Sequence, residues 1–110
     1  MENKLFDRMR GKAERKTADR GRDEIAGPED YRVILLNDDY TTMDFVVEIL
    51  TVIFRKKPDD ATKIMMDVHL RGKGIVGQYP WDIACTKADQ VHLAARENRF
   101  PLRCIVEPAR

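Results

Sequence analysis

The chain changes its hydrophobic rhythm sharply near position 37. Tyr31-Arg32-Val33-Ile34-Leu35-Leu36 is rich in β-branched and large apolar side chains and predicts a strand. From Met43 to Arg55 the polar residues Asp44, Glu48, Thr51 and Arg55 recur at helical spacing as one narrow stripe, which predicts a mostly buried helix. Lys56-Lys57-Pro58 breaks that helix. Pro58 suits the first turn of the next one, with Asp59 and Asp60 near its positive end and Gly72 stopping it after Arg71. Its apolar face is Ala61, Ile64, Met65 and Val68, and His69, one turn after Met65, sits at the rim of that face. From Ile75 to Ile83 a period of two predicts a strand, restricted by Pro80 to an edge or a bulge. Thr86 with Asp89 resembles a capping box and predicts a helix from about Lys87 to Asn98, burying Ala88, Val91, Ala94 and Ala95. Pro101 to Val106 reads as a last short strand. The order β-α-α-β-α-β predicts a compact α+β domain with a three-stranded sheet and three helices.

Residues 1–30 are different in kind. They hold eight basic and eight acidic residues, yet Leu5, Phe6 and Ile25 are their only large aliphatic or aromatic groups besides Met. Such a segment buries too little to offset its ordering entropy, so a disordered extension is expected over 1–30 and a folded domain over 31–110, with the boundary at Gly27-Pro28. Leu5, Phe6 and Met9 would form one apolar side of a short helix if a partner offered a groove. Over the whole chain, 20 Lys and Arg stand against 19 Asp and Glu, so the charge gives no footprint for nucleic acid or an anionic membrane. No run of 18 apolar residues exists to span a membrane. The N-terminus lacks the apolar stretch of a secretory signal, and Cys85 and Cys104 have no CxxC spacing; both point to reduced, buried thiols and a cytoplasmic address.

The candidate chemistry lies where the first strand meets the first helix, at Asn37-Asp38-Asp39-Tyr40-Thr41-Thr42-Met43. Asn, Asp and Thr at such a junction serve turns and helix caps, because their side chains bond nearby backbone N–H groups. Three Asx residues together exceed what one turn needs. An acceptor-rich patch beside apolar walls also suits a ligand with a cationic head and an apolar body. Catalysis by Asp38, Asp39 and His69 lacks any nucleophile signature beside them. A metal site from Asn37, Asp38, Asp39 and His69 lacks an EF-hand loop or paired His at helical spacing. No catalytic residue, metal or cofactor is therefore expected. Met43, Met65 and Met66 fit core filling, and equally an adaptable binding pocket.

A resemblance narrows these alternatives. YRVILLNDDYTTMDFV (31–46), ATKIMMDVHLRGKGIVG (61–77), TKADQV (86–91) and PLRCIVE (101–107) closely resemble, block by block and with their spacing kept, the ClpS family. These are adaptors that hand substrates to the Clp ATP-dependent protease. The resemblance implies a non-enzymatic, monomeric N-recognin for proteins starting with Leu, Phe, Tyr or Trp, delivered to the N-terminal domain of a ClpA-type unfoldase. It implies that Asn37, one or both of Asp38 and Asp39, and His69 hold the substrate α-amino group. Leu35, Thr41, Met43, Val46, Met65, Val68 and Leu102 would line the side-chain pocket, and Asp82, Thr86 and Lys87 would face the unfoldase. Three positions depart from the family pattern: Thr42 stands for its usual Pro, Asp82 for Glu, and Cys85 for a second acid of the docking surface.

Overall fold

The structure is a computed structural model, and it describes residues 30–109. The expectation of disorder over 1–30 falls, apart from Asp30, outside the described residues. The elements run β1 (Tyr31–Leu36), α1 (Met43–Val52), α2 (Pro58–Arg71), β2 (Lys73–Tyr79), α3 (Trp81–Glu97) and β3 (Arg103–Pro108). This is the expected order, three helices and a three-stranded antiparallel sheet, with β1 in the centre between β2 and β3.

Alternation along β1 sends Val33 and Leu35 to one face, where both are fully buried. Leu35 pairs with Gly74 on one side and Cys104 on the other, so those residues share its face. All three helices pack there. A Cβ on Gly74 would come within 2.8 Å of Val68 on α2, and the backbone N–H of Cys104 donates to His92 Nε2 of α3 at 2.9 Å. Phe45, Ile49 and Leu50 of α1 and Ala84, Ala88 and Val91 of α3 complete one continuous core. Phe100 closes it, 4.8 Å from Phe45 between ring centres. Cys85 and Cys104 are free and buried, and burial pushes the Cys104 thiol up to about 12.

Four expectations need correction. First, α1 ends at Val52 rather than Arg55. Ile53 closes the helix with its N–H on the Ile49 carbonyl, and Arg55 turns the chain at φ 56°. Second, β2 begins at Lys73 and ends at Tyr79, and the apparent alternation through Trp81 and Ile83 belongs to a helix. Pro80, with φ −60°, precedes the first turn of α3 and its carbonyl accepts from Ala84 N–H at 2.9 Å. A fixed φ and a missing N–H suit proline at a helix start as well as at a strand edge, and parity over so short a span could not choose. Third, Thr86 and Asp89 are interior to α3, not a capping box: the Thr86 hydroxyl donates to the Asp82 carbonyl at 2.8 Å, and Asp89 is buried. At the close of the chain, β3 starts at Arg103, two residues later than expected, and runs to Pro108.

Candidate functional site: a cavity at the end of β1

The loop after β1 is built by Asp38. Its Oδ1 accepts from the backbone N–H of Tyr40 at 2.8 Å and of Thr41 at 2.7 Å, and its Oδ2 accepts from the Thr41 hydroxyl at 2.7 Å. Burial works to raise the Asp38 pKa, but the Thr41 hydroxyl, the Thr41 N–H and the Tyr40 N–H outweigh it and hold the carboxyl below its ordinary value. One residue later Thr42 takes the N-cap of α1, its hydroxyl accepting from Phe45 N–H at 3.1 Å. The two threonines thus divide the work: Thr41 ties the turn, and Thr42 opens the helix.

On the opposite wall, α2 ends in a left-handed Gly72 at φ 92°, a conformation that favours glycine because a Cβ there is strained. The Gly72 carbonyl accepts from Asn37 N–H at 2.9 Å, which ties the loop to the end of the helix that carries His69. This backbone bond sets the separation of the two walls.

Between them lies a cavity of about 270 Å³ lined by Asn37, Asp38, Asp39, Thr41, Met43, Val46, Met65, Val68 and His69. Nine of the residues expected from the sequence therefore meet there. The other two, Leu35 and Leu102, are not among its lining residues; both are buried in the core. Val46 and Val68 are buried, whereas Met43 is 46% exposed and stands at the mouth. Among the described residues, the side chains of Asn37, Asp39 and His69 have no hydrogen-bond or ion-pair partner. The cavity therefore joins an apolar wall to a rim of uncommitted acceptors, with the Asp38 charge held in place beside them. No group of His, Cys, Asp and Glu able to hold a metal ion occurs among the described residues.

The expected docking residues are on α3. Asp82 is exposed in its first turn, and Thr86 is half-buried behind it. Lys87 is not a free surface charge. Its ammonium donates to the Ile53 carbonyl at the end of α1 at 2.7 Å and lies 5.9 Å from the centre of the Phe54 ring. Burial, and then the charge of Arg55, push its pKa below the ordinary lysine value. Cys85, where the family pattern has an acid, is buried.

A family model described as ATP-dependent Clp protease adaptor protein ClpS matches residues 26–105. The chain belongs to the ClpS family. Curated relatives called ATP-dependent Clp protease adapter protein ClpS include one from Syntrophus aciditrophicus, 56% identical over 85 residues, covering 77% of this chain and 79% of the relative. Another, from Acetivibrio thermocellus, is 59% identical over 81 residues, covering 74% and 82%. Among solved structures, ClpS2 of Agrobacterium tumefaciens bound to L-phenylalaninamide superposes with a TM-score of 0.71 at 40% identity, covering 74% of this chain and 99% of that one. As a ClpS-family chain it is an adaptor of the ATP-dependent Clp protease, and the β-α-α-β-α-β order is that of its structural neighbour. No helix of the described residues is long and apolar enough to cross a membrane.

Proposed function

We propose that the cavity at the end of β1 binds the first residue of a substrate protein, and that this chain delivers proteins starting with Leu, Phe, Tyr or Trp to a ClpA-type unfoldase. The observation that carries this reading is the pairing in one 270 Å³ space of an apolar wall with acceptors that have no partner of their own. That volume lies just below the roughly 300–1,000 Å³ of sites for drug-sized ligands, and suits one large side chain better than a folded surface. A free α-amino group is a compact cation with three donors, and Asn37, Asp39 and His69 offer acceptors around it while Asp38 adds charge. A leucine or aromatic side chain then meets Val46, Met65 and Val68, with Met43 and Thr41 at the mouth. The ligand of the structural neighbour, L-phenylalaninamide, has a free amine and an aromatic side chain, the chemistry that this arrangement suits.

Magnitudes are consistent. Burying a large apolar side chain contributes about 1.5–3 kcal/mol. Each hydrogen bond to a charged amine adds about 1.5–3 kcal/mol, less the cost of ordering the peptide. Micromolar affinity, about −8 kcal/mol, is reached with the side chain and two or three such bonds. In this reading residues 31–110 form the binding body, residues 1–30 serve delivery, and the outer face of α3 around Asp82 and Thr86 meets the unfoldase N-terminal domain. The chain acts as a cytoplasmic monomer without catalysis of its own. Calorimetric titration with peptides that differ only in their first residue tests the pocket. Phe, Leu, Tyr and Trp peptides should bind at least tenfold tighter than Ala, Glu or Val peptides, and equal affinities would overturn the reading.

A further inference from the structure

The α2 wall of the cavity continues beyond its rim. Successive residues of a helix step round its axis by about 100°, so α2 presents its side chains as neighbouring ridges. Ile64 and Val68 form the ridge against the sheet: both would touch a Cβ placed on Gly74 of β2, and Val68 is buried. Met65 and His69, one step round, line the cavity. Met66 and Leu70, a further step round, form a third ridge that faces solvent, with Leu70 70% exposed. Apolar side chains exposed singly are ordinary on a protein surface. Leu70 is not single: it lies one turn from Met66 and beside His69, so an apolar path runs from Val68 in the cavity out on to the surface of α2. On the opposite rim Tyr40 is also exposed, but its chain neighbours are Asp39 and Thr41, and no second exposed apolar residue adjoins it.

Spacing decides which part of a substrate meets this ridge. With the first side chain in the cavity and the amine at the acceptors, the rest of the substrate leaves through the mouth. In an extended chain successive side chains point to opposite sides and each residue advances about 3.3 Å. The second side chain then points to solvent, and the third returns to the protein about 6.6 Å from the first. A helix is about 10–12 Å across with its side chains, so the tips of neighbouring ridges stand about 8–9 Å apart. The two spacings differ by about 2 Å, within the reach of a side chain that changes rotamer.

We infer that Met66 and Leu70 form a subsite for the third residue of the substrate, and that this subsite takes a large apolar side chain. The inference rests on the reading of the cavity as the site of the first residue and extends it along the chain. The second residue has no such site.

The test uses free-amine peptides beginning Phe-Ser-Ser, Phe-Ser-Leu and Phe-Leu-Ser, otherwise identical, titrated by calorimetry into the full chain. Phe-Ser-Leu should bind about fivefold tighter than Phe-Ser-Ser, as expected for partial burial of one apolar side chain, with Phe-Leu-Ser within about twofold of Phe-Ser-Ser. In Leu70→Ser, a change at an exposed position, the three affinities should converge, whereas in Tyr40→Ser the preference for Phe-Ser-Leu should persist. Equal binding of Phe-Ser-Leu and Phe-Ser-Ser overturns the proposal. A preference that survives Leu70→Ser, or that Tyr40→Ser alone removes, overturns it as well. Acetylated Phe-Ser-Ser separates the two ways of failing. If acetylation leaves affinity unchanged, the reading of the cavity fails and the subsite falls with it. If acetylation abolishes binding and the third residue has no effect, the cavity stands and only the subsite is withdrawn.

Discussion

Asp38 and its neighbours Asn37 and Asp39 look alike in the sequence, and the structure gives them different work. Asp38 spends both carboxylate oxygens on the loop, accepting from Tyr40 and Thr41, whereas Asn37 and Asp39 keep their side chains free at the cavity. Asp38→Ala should therefore cost stability, about 1 kcal/mol by analogy with the loss of a capping side chain, read by urea denaturation. The sign with pH follows from the lowered pKa: the charged form is favoured by folding, so its stabilisation is complete above the unfolded-state value near 3.9 and is lost as pH falls through the lower folded value. The stability gap between wild type and Asp38→Asn should narrow below about pH 4; a gap that stays constant would assign the loop to neutral hydrogen bonds alone. His69→Ala should weaken binding of a Phe-starting peptide at least tenfold with the fold intact, and an unchanged affinity would remove His69 from the site. Met43, exposed at the mouth, acts in this account as a gate against side chains branched at Cβ. Met43→Ala should then admit Ile or Val as first residue while keeping Phe and Leu. Loss of all ligands alike would make Met43 only a wall.

At the scale of elements, what the sequence could show depended on how local the deciding interaction is. The bounds of α2 were legible because Pro58 and Gly72 carry their conformational meaning within one turn. The acceptor cluster was legible for the same reason, since Asn37, Asp38 and Asp39 are consecutive; that it shares a cavity with Met65, Val68 and His69 was implied only by the resemblance. The end of α1 was not. Its terminal Ile53 carbonyl is taken by Lys87, 34 positions away, and no local signal announces that bond. Trp81 and Ile83 misled because alternation beside a proline fits either a strand edge or a helix start, and tertiary packing of Ala84, Ala88 and Val91 chose the helix. Lys87 joins α3 to α1, so Lys87→Met, which keeps the stem but loses the donor, should destabilise the fold by about 1–3 kcal/mol through the unmet carbonyl. Peptide affinity should change less than threefold. A Lys87→Met protein of wild-type stability would return Lys87 to the surface as a docking charge.

At the scale of the whole molecule, the proposed function divides holding from handing over. Every residue around the cavity lies from Asn37 onward, and the core that positions them is closed by β3 and α3. Cutting the chain before Asp30 should leave peptide affinity within about threefold, since a tenfold change needs about 1.4 kcal/mol. Degradation of a Phe-starting reporter at equal adaptor occupancy should nevertheless slow, and equal rates would make the extension a passive tail. The central claim is narrower than delivery: the cavity recognises a free α-amino group and the side chain beside it together. It is tested most directly by the affinity of one Phe-starting peptide with its amine free and with the same amine acetylated, measured by calorimetry on the full chain. Acetylation removes the cation and two of its donors while leaving the side chain unchanged, so the account predicts micromolar binding of the free peptide and at least a hundredfold loss on acetylation. Equal binding of the two peptides would contradict it.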